Sequence, residues 1–554
     1  MIVTSSPSIG GTTSRAASQI PCGDVVCRTA EVLLSAPADA RPSRLARLAP
    51  AIVGGVALVV YARTLLPGIA FGDWGELQTV PHVLGVAHPT GYPTYILLAW
   101  LAELVPIGSI AFRANFLSAV FIAASLGIFT LIVQRLGVRP VLAIGAALAL
   151  GAVGTVWAAA TVSKANPLLL LFGALILHRA LIWEGRRSPF DLALGGLLFG
   201  LALGNHPLTV LMAPFVGVFV LWVGRAEIRA RPWILLPALV ALLVGLSVYL
   251  YIPLAASQSP VLAYNHPVTL DGVLWLVGGT QFRGQFDFLT LRGPGQFVAA
   301  LPDLWALLAA RATPILPIVG LAGLALLVRR RPAFGLLCVG LLTSGCYVWA
   351  NYLRLEHYLL VPWLMLAIGA SVGLEGIARA VTSWSGRSAT SWAGRFAAFD
   401  AGVLVGLASL AFALALGGIN WSISDRSADR SGQAYVDAVF AALPPHAAIL
   451  SYWDASTPLW YGRYVEGGRP DVLIVDDTNI VYEQWGTRER RISSLICQRP
   501  VFILRLDDRD LVPTRQAFRL EPFLTVRVAA GGPSAALDRP IFRVTPLDPA
   551  TCGP

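Results

Sequence analysis

The chain has 554 residues, of which 56% are hydrophobic and 13% charged, and its formal net charge is +10. A soluble domain carries about 25% charged residues, so this composition excludes an ordinary soluble enzyme. Apolar runs of about 20 residues, long enough to cross a bilayer as helices, recur along the chain and predict a polytopic α-helical membrane protein. Arginine supplies nearly all the positive charge, since Lys164 is the only lysine. Because these arginines lie beside apolar runs, the positive charge indicates cytoplasmic loops of a membrane protein more than it indicates a nucleic-acid partner.

The N-terminal segment 1–47 is polar, rich in small residues and ends in the basic cluster Arg41, Arg44 and Arg47. Such a composition predicts a disordered, basic cytoplasmic tail. No apolar core of a cleaved signal peptide opens the chain. Cys22 and Cys27 lack the second pair of ligands that a zinc site requires.

Eleven apolar runs between residues 48 and 420 predict about eleven transmembrane helices. The predicted spans are 48–66, 114–134, 140–160, 167–183, 189–204, 207–224, 232–253, 313–328, 333–350, 357–378 and 398–419. The stretch 92–107 is also apolar but shorter, and counting it as a span would invert every later loop.

The arginines decide between these topologies. Without a span at 92–107, the basic clusters all fall on one side of the membrane: Arg41/Arg44/Arg47, Arg135/Arg139, Arg179/Arg186/Arg187, Arg225/Arg229/Arg231, Arg329/Arg330/Arg331 and Arg379/Arg387/Arg395. The short loops opposite hold Lys164 and Arg354. The positive-inside rule then places the N-terminus in the cytoplasm of a cell-membrane protein. Residues 92–107 become an interfacial helix within the outer loop 67–113.

The last span is predicted to exit outward, so residues 421–554 form an extracytoplasmic domain. Its composition is ordinary and its pattern alternates between helices and short strands, which predicts a small α/β domain. The predicted elements are helices near 433–442 and 457–465 and strands Ala448–Tyr452, Asp471–Val475 and Val501–Leu506. Cys497 and Cys552 both lie in this domain, on the oxidising side of the membrane, where a disulfide between them can form. The alternative is two unpaired buried thiols.

Polar groups at the outer membrane face are costly unless they serve a purpose, and Asp73 and Glu76 come first in the chain. Two carboxylates three residues apart share one face of a helix, and either one can serve as a general base. The following motif contains His88, Pro89, Gly91 and Tyr92, which predict a tightly shaped loop over a site. The alternative is a capping box, with Asp73 as N-cap and Glu76 as its partner.

Four further motifs lie at the same face. Lys164 suits a phosphate or snorkels to lipid headgroups, and Asn205-His206 suits a ligand or a helix cap. The long outer loop 254–312 contains Arg283 among aromatic residues, as a phosphate or sugar clamp or within an amphipathic membrane helix. Arg354, Glu356 and His357 are polar contacts for a ligand or members of a structural ion pair.

Two runs, Gly72–Leu77 and Leu84–Pro93, resemble the signature of a membrane family first known as a domain of unknown function. That family includes a eukaryotic transmembrane protein O-mannosyltransferase and belongs to the GT-C glycosyltransferase superfamily. Supporting similarities lie at Gly204–Pro207, Tyr251–Leu254, Asn265–Leu270, Gly279–Arg283, Glu356–Tyr358, Tyr452–Asp454, Pro458–Tyr461 and Arg469–Val472.

The resemblance implies an enzyme that moves a sugar, with mannose as the candidate, from polyprenyl phosphate to an extracytoplasmic protein Ser/Thr or glycan acceptor. It implies Asp73 as base or acceptor-positioning residue, with Glu76 as second choice. The phosphate would lie among Lys164, Arg283, Arg354, His206 and His357, beside membrane lipid. Related proteins usually carry an acidic residue where this chain has Lys164 and Asn166, so a metal cofactor is not favoured.

Two other classes compete with this interpretation. A transporter or lipid-handling protein would place charges near the midplane of discontinuous helices, with repeat symmetry between halves, whereas the ionisable residues here cluster at one rim. A non-catalytic scaffold of the same fold would use the terminal α/β domain to bind a partner. Walker, dinucleotide-binding and HExxH motifs are absent from the sequence, which disfavours a nucleotide-dependent cytoplasmic enzyme.

Overall fold

The computed structural model describes residues 43–285, 293–387, 401–478, 486–528 and 537–548. Most of the predicted tail, with Cys22 and Cys27, lies outside these residues. Arg44 and Arg47 instead begin the first helix, which Ser43 caps by accepting a hydrogen bond from the Ala46 amide. The tail prediction therefore extended a few residues too far, because a basic cluster before an apolar run reads equally well as the first turn of a helix.

Each predicted span is mainly helical in the part that the structure describes. Among the described residues, seven helices are long and apolar enough to cross a bilayer: Arg44–Thr64, Ile110–Arg135, Asn166–Arg186, Pro232–Ser257, Pro332–Asn351, Glu356–Thr382 and Ala401–Ser424. Two further pairs form bent units, Pro140–Ala152 with Gly154–Ala160 (73°) and Gly293–Ala312 with Ile315–Arg330 (110°). Two shorter apolar helices are Pro189–Asn205 and Pro207–Val223. The fold is thus polytopic and helical, and the number of helices that cross the membrane stays a prediction.

The second bent pair differs from the sequence prediction. Residues 293–312 were assigned to an outer loop, but they form a 20-residue helix that turns sharply at Thr313 into the next span. Thr313 adopts a left-handed φ of 57°, and Pro314 follows it. A proline and a left-handed residue end one helix and start another, a signal that hydropathy alone does not separate from a continuous span.

Short helices make up the outer loops. Gly72–Thr79 and Pro93–Glu103 lie in the first loop and Leu270–Val277 in the long one. The eleven residues of Pro93–Glu103 extend about 16 Å, roughly half the thickness of the hydrocarbon core. Their side chains Tyr95 and Ile96 are fully buried against the bundle. This helix is too short to cross a membrane, as the arginine pattern required.

The end of the bundle opposite these loops collects the arginine clusters. Arg139 and Arg379 both pair with the buried Glu375, and Arg179 pairs with the buried Asp191. Segments far apart in sequence therefore present their basic residues at one end. That this end of the bundle faces the cytoplasm stays a prediction.

The C-terminal region is a five-stranded mixed sheet in the order β2-β1-β3-β5-β4. The strands are β1 Ala448–Ser451, β2 Leu473–Asp476, β3 Val501–Leu504, β4 Phe518–Val528 and β5 Leu537–Pro546, with helices Ser431–Ala442, Trp453–Tyr464, Arg488–Leu495 and Val512–Ala517. The first three strands are parallel and match the prediction. The hairpin β4–β5 was missed. Cys497 forms a disulfide, and Cys552 lies outside the described residues.

The sheet domain packs directly on the first outer loop. Ile69 and Ala111 of the membrane part join the apolar core around Tyr435 and Leu459. The Ala111 amide donates a hydrogen bond of 2.9 Å to the hydroxyl of Tyr461. The sheet domain therefore covers the loop that carries Asp73.

Candidate active site

A cavity of about 770 Å³ lies where the outer loops meet the sheet domain. Each of the five polar motifs singled out in the sequence contributes to its wall. The residues that line it and enter the argument below are Asp73, Trp74, His88, Pro89, Tyr92, Lys164, His206, Tyr264, Gln281, Phe282, Tyr352, His357, Tyr358, Trp453 and Thr478. Loops that the arginine pattern assigned to one side of the membrane thus meet around one space.

Asp73 lies in the first turn of the helix Gly72–Thr79 and faces the cavity as an exposed side chain. Its Oδ1 accepts a hydrogen bond of 2.9 Å from the indole Nε1 of Trp453. The helix is capped by Phe71, which provides no side-chain hydrogen bond. The capping-box alternative is therefore wrong, and Asp73 is a carboxylate presented to the cavity.

Glu76 points the other way, into the protein. It is 2% exposed, and its two oxygens accept from the backbone amide of His88 (2.8 Å) and contact the His88 ring at Nδ1. The His88 Nε2 lies 3.0 Å from the hydroxyl of Tyr92. Glu76 thus orients His88 and Tyr92 at the cavity wall, and Asp73 is the better candidate for a base.

The charges in this pair follow from its surroundings. Burial raises the pKa of Glu76, an effect that His88 partly offsets. Burial opposes the charge of His88, but the carboxylates of Glu76 and Asp73 outweigh it and raise the pKa of His88 to about 9. His88 therefore carries a proton at neutral pH and presents a positive edge to the cavity.

Lys164 lies in the turn before the helix Asn166–Arg186, with its Nζ 4.5 Å from the centre of the Trp74 ring. Arg426, just after the last span, lies 5.1 Å from the same ring. Burial, and then the nearby Arg426, lower the pKa of Lys164 to about 8. The structure therefore favours the ligand interpretation of Lys164 over snorkelling, because its charge is turned inward to the cavity.

His206 fulfils the role of a cap as well as lining the cavity. Its Nδ1 accepts from the amide of Leu208, which leaves Nε2 as the protonated nitrogen of the neutral ring. Burial lowers the pKa of His206 to about 3, so the ring is neutral. His357 and Tyr358 stack edge to face at 4.6 Å beside it, and Tyr352 lies 5.5 Å from Tyr358. Neutral donors and aromatic rings thus form this side of the cavity.

The structure corrects the prediction for Arg354. Its guanidinium donates to Asp303 at 2.6 Å in an exposed pair, and it does not line the cavity. Glu356 pairs with Arg311 at 2.6 Å and accepts from the hydroxyl of Thr155. The expected Arg354–Glu356 pair is therefore replaced by two ion pairs with residues of one helix that the sequence prediction had left as loop.

The long outer loop contributes through its 3₁₀ turn Thr280–Gln285. Gln281 accepts from the hydroxyl of Tyr264 at 2.7 Å, and Phe282 lines the cavity. The backbone of Arg283 follows in the same turn, but its side chain lies outside the described part of the structure. Its role as a phosphate clamp stays a prediction.

Gly91 shapes the loop that carries His88. It has a φ of +84°, and a Cβ there would meet the side chains of Ile252 and Leu276 at 3.0 and 3.1 Å.

Within the residues that the structure describes, groups of three or more His, Cys, Asp or Glu side chains placed to hold a metal ion are absent. The charged groups that do meet in the cavity are Asp73, His88 and Lys164.

Sequence reasoning missed Trp453 and Arg426. Trp453 lies 380 residues from Asp73, and no periodicity predicts such a contact. The one available signal was the similarity at Tyr452–Asp454, which marks the motif without saying what it touches. Arg426 directly follows the last span, where a flanking arginine is common, so its position alone does not indicate a site.

The fold is similar to that of two solved structures. ArnT from Cupriavidus metallidurans, solved bound to undecaprenyl phosphate, superposes with a TM-score of 0.53 at 15% identity and covers 91% of this chain and 99% of its own. The oligosaccharyltransferase of Archaeoglobus fulgidus in the apo form gives a TM-score of 0.50 at 12% identity over 83% of this chain and 70% of its own. At these identities the likeness establishes the fold.

The resemblance noted in the sequence is confirmed at residues 73–229, which match the model of the protein O-mannosyl-transferase TMEM260 N-terminal domain. The chain is also homologous to mouse protein O-mannosyl-transferase TMEM260, with 27% identity over 447 residues, or 76% of this chain. It spans about 62% of the length of that relative. The matched region begins at Asp73 and includes Glu76, His88, Lys164 and His206.

Proposed function

We propose that this protein is a membrane glycosyltransferase that moves a sugar from a polyprenyl-phosphate donor to a hydroxyl of an extracytoplasmic acceptor. The relative in mouse is a protein O-mannosyl-transferase, so mannose is the candidate sugar and a protein Ser or Thr the candidate acceptor. The GT-C structure of ArnT holds undecaprenyl phosphate, which supports a donor of that class.

The observation that carries the proposal is the composition of the cavity beside Asp73. One carboxylate, Asp73, faces two cationic groups, His88 of the same outer loop and Lys164 of the next, across a space of about 770 Å³. The remaining wall is largely apolar and includes Leu208, Val210 and Leu211. A base, cations and an apolar surface are what a lipid-phosphate sugar requires.

The chemistry is a displacement at the anomeric carbon. The acceptor hydroxyl oxygen forms a bond to that carbon while Asp73 takes the hydroxyl proton. The bond between the anomeric carbon and the phosphate oxygen breaks, and the phosphate leaves with the electron pair. Lys164 and the His206 Nε2–H stabilise the added negative charge as charged and neutral donors.

The direct test is an assay of purified protein in nanodiscs with radiolabelled mannosyl phosphoryl polyprenol and a Ser/Thr-rich peptide. We expect label to move from the lipid to the peptide and polyprenyl phosphate to accumulate in equal amount. Label that stays on the lipid with every acceptor tried would contradict the enzymatic proposal and favour a lipid-handling or scaffold role.

The orientation of the chain is also a proposal. A reporter enzyme that works only outside the cytoplasm, fused after Asp425, should be active, because the arginine clusters lie at the opposite end of the bundle. A fusion in the loop that contains Arg225 should be inactive with the same reporter. The reverse pattern would place the cavity in the cytoplasm and remove the proposed donor.

Arg283 is proposed to grip the phosphate from the long loop. A guanidinium donates two parallel hydrogen bonds to phosphate oxygens, whereas lysine offers a single point charge. We therefore expect Arg283→Lys to weaken binding of the polyprenyl-phosphate substrate by about 1.5–3 kcal/mol. Arg354→Lys is the matched control, because Arg354 pairs with Asp303 outside the cavity. Equal effects of the two changes on donor KM would show that Arg283 does not hold the phosphate.

We further propose that transfer needs no divalent cation, because arginine and lysine take the charge of the leaving phosphate. Turnover should persist in excess EDTA. Loss of turnover that added Mg²⁺ or Mn²⁺ restores would instead indicate a metal held at Asp73.

A further inference from the structure

The sheet domain places one side chain directly on the candidate base. Strand β1 ends at Ser451, and Trp453 begins the next helix two residues later. The indole Nε1 of Trp453 donates a hydrogen bond of 2.9 Å to Oδ1 of Asp73. Within the part of the chain that the structure describes, this is the one hydrogen bond to the Asp73 carboxylate. Its Oδ2 is therefore the oxygen available to an acceptor hydroxyl.

The contacts around the Trp453 ring hold it in this orientation. Three rings lie against it edge to face, at centroid distances of 5.5, 6.1 and 5.4 Å: those of His88, Tyr264 and Trp460. Its backbone amide donates to Oγ1 of Thr478 at 3.3 Å. The indole therefore cannot turn away from the carboxylate without breaking contacts on several sides.

Arg539 of strand β5 binds the residues on both sides of Trp453. Its guanidinium donates to the carboxylate of Asp454 at 2.7 Å and to the hydroxyl of Tyr452, and only 6% of its side chain is exposed. It also lies 4.3 Å from the ring centre of Phe71, the N-cap of the helix that carries the base. One buried cation thus joins the surroundings of the indole to the start of that helix.

The helix that carries Asp73 packs tightly on the helix that begins at Trp453. At Gly75 a Cβ would lie 2.9 Å from Oγ1 of Thr457 and 2.4 Å from the carbonyl oxygen of Ala70. Both distances are shorter than real Cβ atoms allow, so glycine is required there. The outer loop is therefore fitted to the sheet domain, and this packing fixes the distance between the indole and the carboxylate.

We infer that Trp453 is a positioning residue of the transfer site, supplied by the sheet domain, whose N–H orients the Asp73 carboxylate so that Oδ2 meets the acceptor hydroxyl. A hydrogen bond from an N–H also favours the charged form of a carboxylate, so the indole keeps the base ready to accept a proton. The inference rests on the proposed function, in which Asp73 is the base, and adds that the sheet domain completes the site.

The charged groups around Asp73 set the pH range in which this effect can be measured. The titratable side chains near its carboxylate are Glu76, His88, Tyr92, Lys164, Tyr352, Tyr358 and Asp454. His88 and Lys164 have pKa values of about 9 and about 8 and carry their protons in acid, where tyrosines are neutral. The groups that titrate in acid are therefore the carboxyls. Glu76 keeps His88 and Asp454 keeps Arg539 when the indole N–H is removed.

Trp453→Phe tests the inference through the pH dependence of turnover. The phenyl ring retains aromatic packing and removes the N–H, so kcat should fall while the donor KM is unchanged. The ratio of wild-type to variant kcat should rise toward acidic pH, by up to about tenfold, because a hydrogen bond to the charged carboxylate is lost. Initial rates in nanodiscs at saturating donor measure this ratio.

Trp460→Phe is the matched control. Trp460 lies on the same helix and packs on Trp453, but it does not line the transfer cavity. This variant should follow the wild-type pH profile. A ratio for Trp453→Phe that does not change with pH, or the same loss in both variants, would overturn the inference.

Carbodiimide labelling measures the protonation of Asp73 without turnover. Carbodiimides add to protonated carboxyl groups, and mass spectrometry of the peptides locates the label. In Trp453→Phe, Asp73 should react at a higher pH than in the wild type, whereas the exposed Asp303 should react alike in both. Identical profiles for Asp73 would contradict the inference even if sugar transfer is observed. A shifted profile in a protein that transfers no sugar would support the effect of Trp453 on Asp73 and remove the proposed function.

A closer replacement covers the case in which Trp453→Phe does not fold. 3-Benzothienylalanine, introduced at position 453 by nonsense suppression, has the shape of tryptophan with sulfur in place of the N–H. The apparent Tm should stay at the wild-type value, while the rate and labelling profiles shift as for Trp453→Phe. Wild-type profiles in this protein would show that the N–H does not act on Asp73.

Discussion

Asp73→Asn is expected to reduce sugar transfer by at least about 10²-fold, the contribution of a general base in the reaction. The amide keeps the size of the carboxylate, and its oxygen can still accept from the Trp453 indole, which holds Asp73 at 2.9 Å. The loss should therefore appear in kcat, with the donor KM and the apparent Tm little changed. Initial rates of label transfer at saturating donor measure it.

Asp303→Asn is the matched control for this change. Asp303 is a carboxylate at the same end of the bundle, 62% exposed and paired with Arg354 outside the cavity. It should transfer at the wild-type rate. Wild-type kcat in Asp73→Asn would remove Asp73 as the base, and a loss shared by both variants would point to a general electrostatic effect.

Glu76→Gln is expected to destabilise the protein by about 3 kcal/mol, near the lower end of the cost of breaking a buried ion pair. Glu76 and His88 are both largely buried and hold each other's charge. The amide cannot neutralise the imidazolium, so His88 must lose its proton and its contact with Tyr92 weakens. Thermal unfolding in detergent measures the change. Asp303→Asn, which alters an exposed carboxylate outside the cavity, is the control and should leave the apparent Tm unchanged.

The pair also predicts a pH dependence of stability. In the folded protein the pKa of His88 is about 9, and in the unfolded chain it is about 6.5. The stabilisation is therefore complete below pH of about 6.5 and is lost as the pH rises through about 9. Apparent Tm should fall across this window in the wild type and fall less in Glu76→Gln. Parallel Tm profiles for the two proteins would contradict the pairing.

The sequence contained most of what determines the membrane part. Hydropathy locates the helices and the arginines order their ends, because both follow from the cost of moving charge and backbone through lipid. The first three strands and their helices were also predictable from alternation. The hairpin β4–β5 was not, since most side chains of β4 outside its ends are exposed or half-buried and its partner β5 joins the parallel strands through an antiparallel pairing with β3.

The candidate site was predictable as a set of residues and not as an arrangement. Asp73, Lys164, His206 and His357 all reach one cavity, as the common outer face required. Spacing alone placed Asp73 and Glu76 together, yet the helix turns Glu76 into the interior. Partners such as Asp303 for Arg354 and Trp453 for Asp73 depend on packing between distant segments, which no local pattern records.

The central claim is that the cavity beside Asp73 holds a polyprenyl phosphate. The most direct measurement is an electron cryomicroscopy structure of Asp73→Asn in nanodiscs with undecaprenyl phosphate. We predict the phosphate beside Lys164 and His206, with the prenyl chain along Leu208 and Leu211. A lipid phosphate seated at the arginine-rich end of the bundle, with the cavity beside Asp73 left without it, would contradict the account.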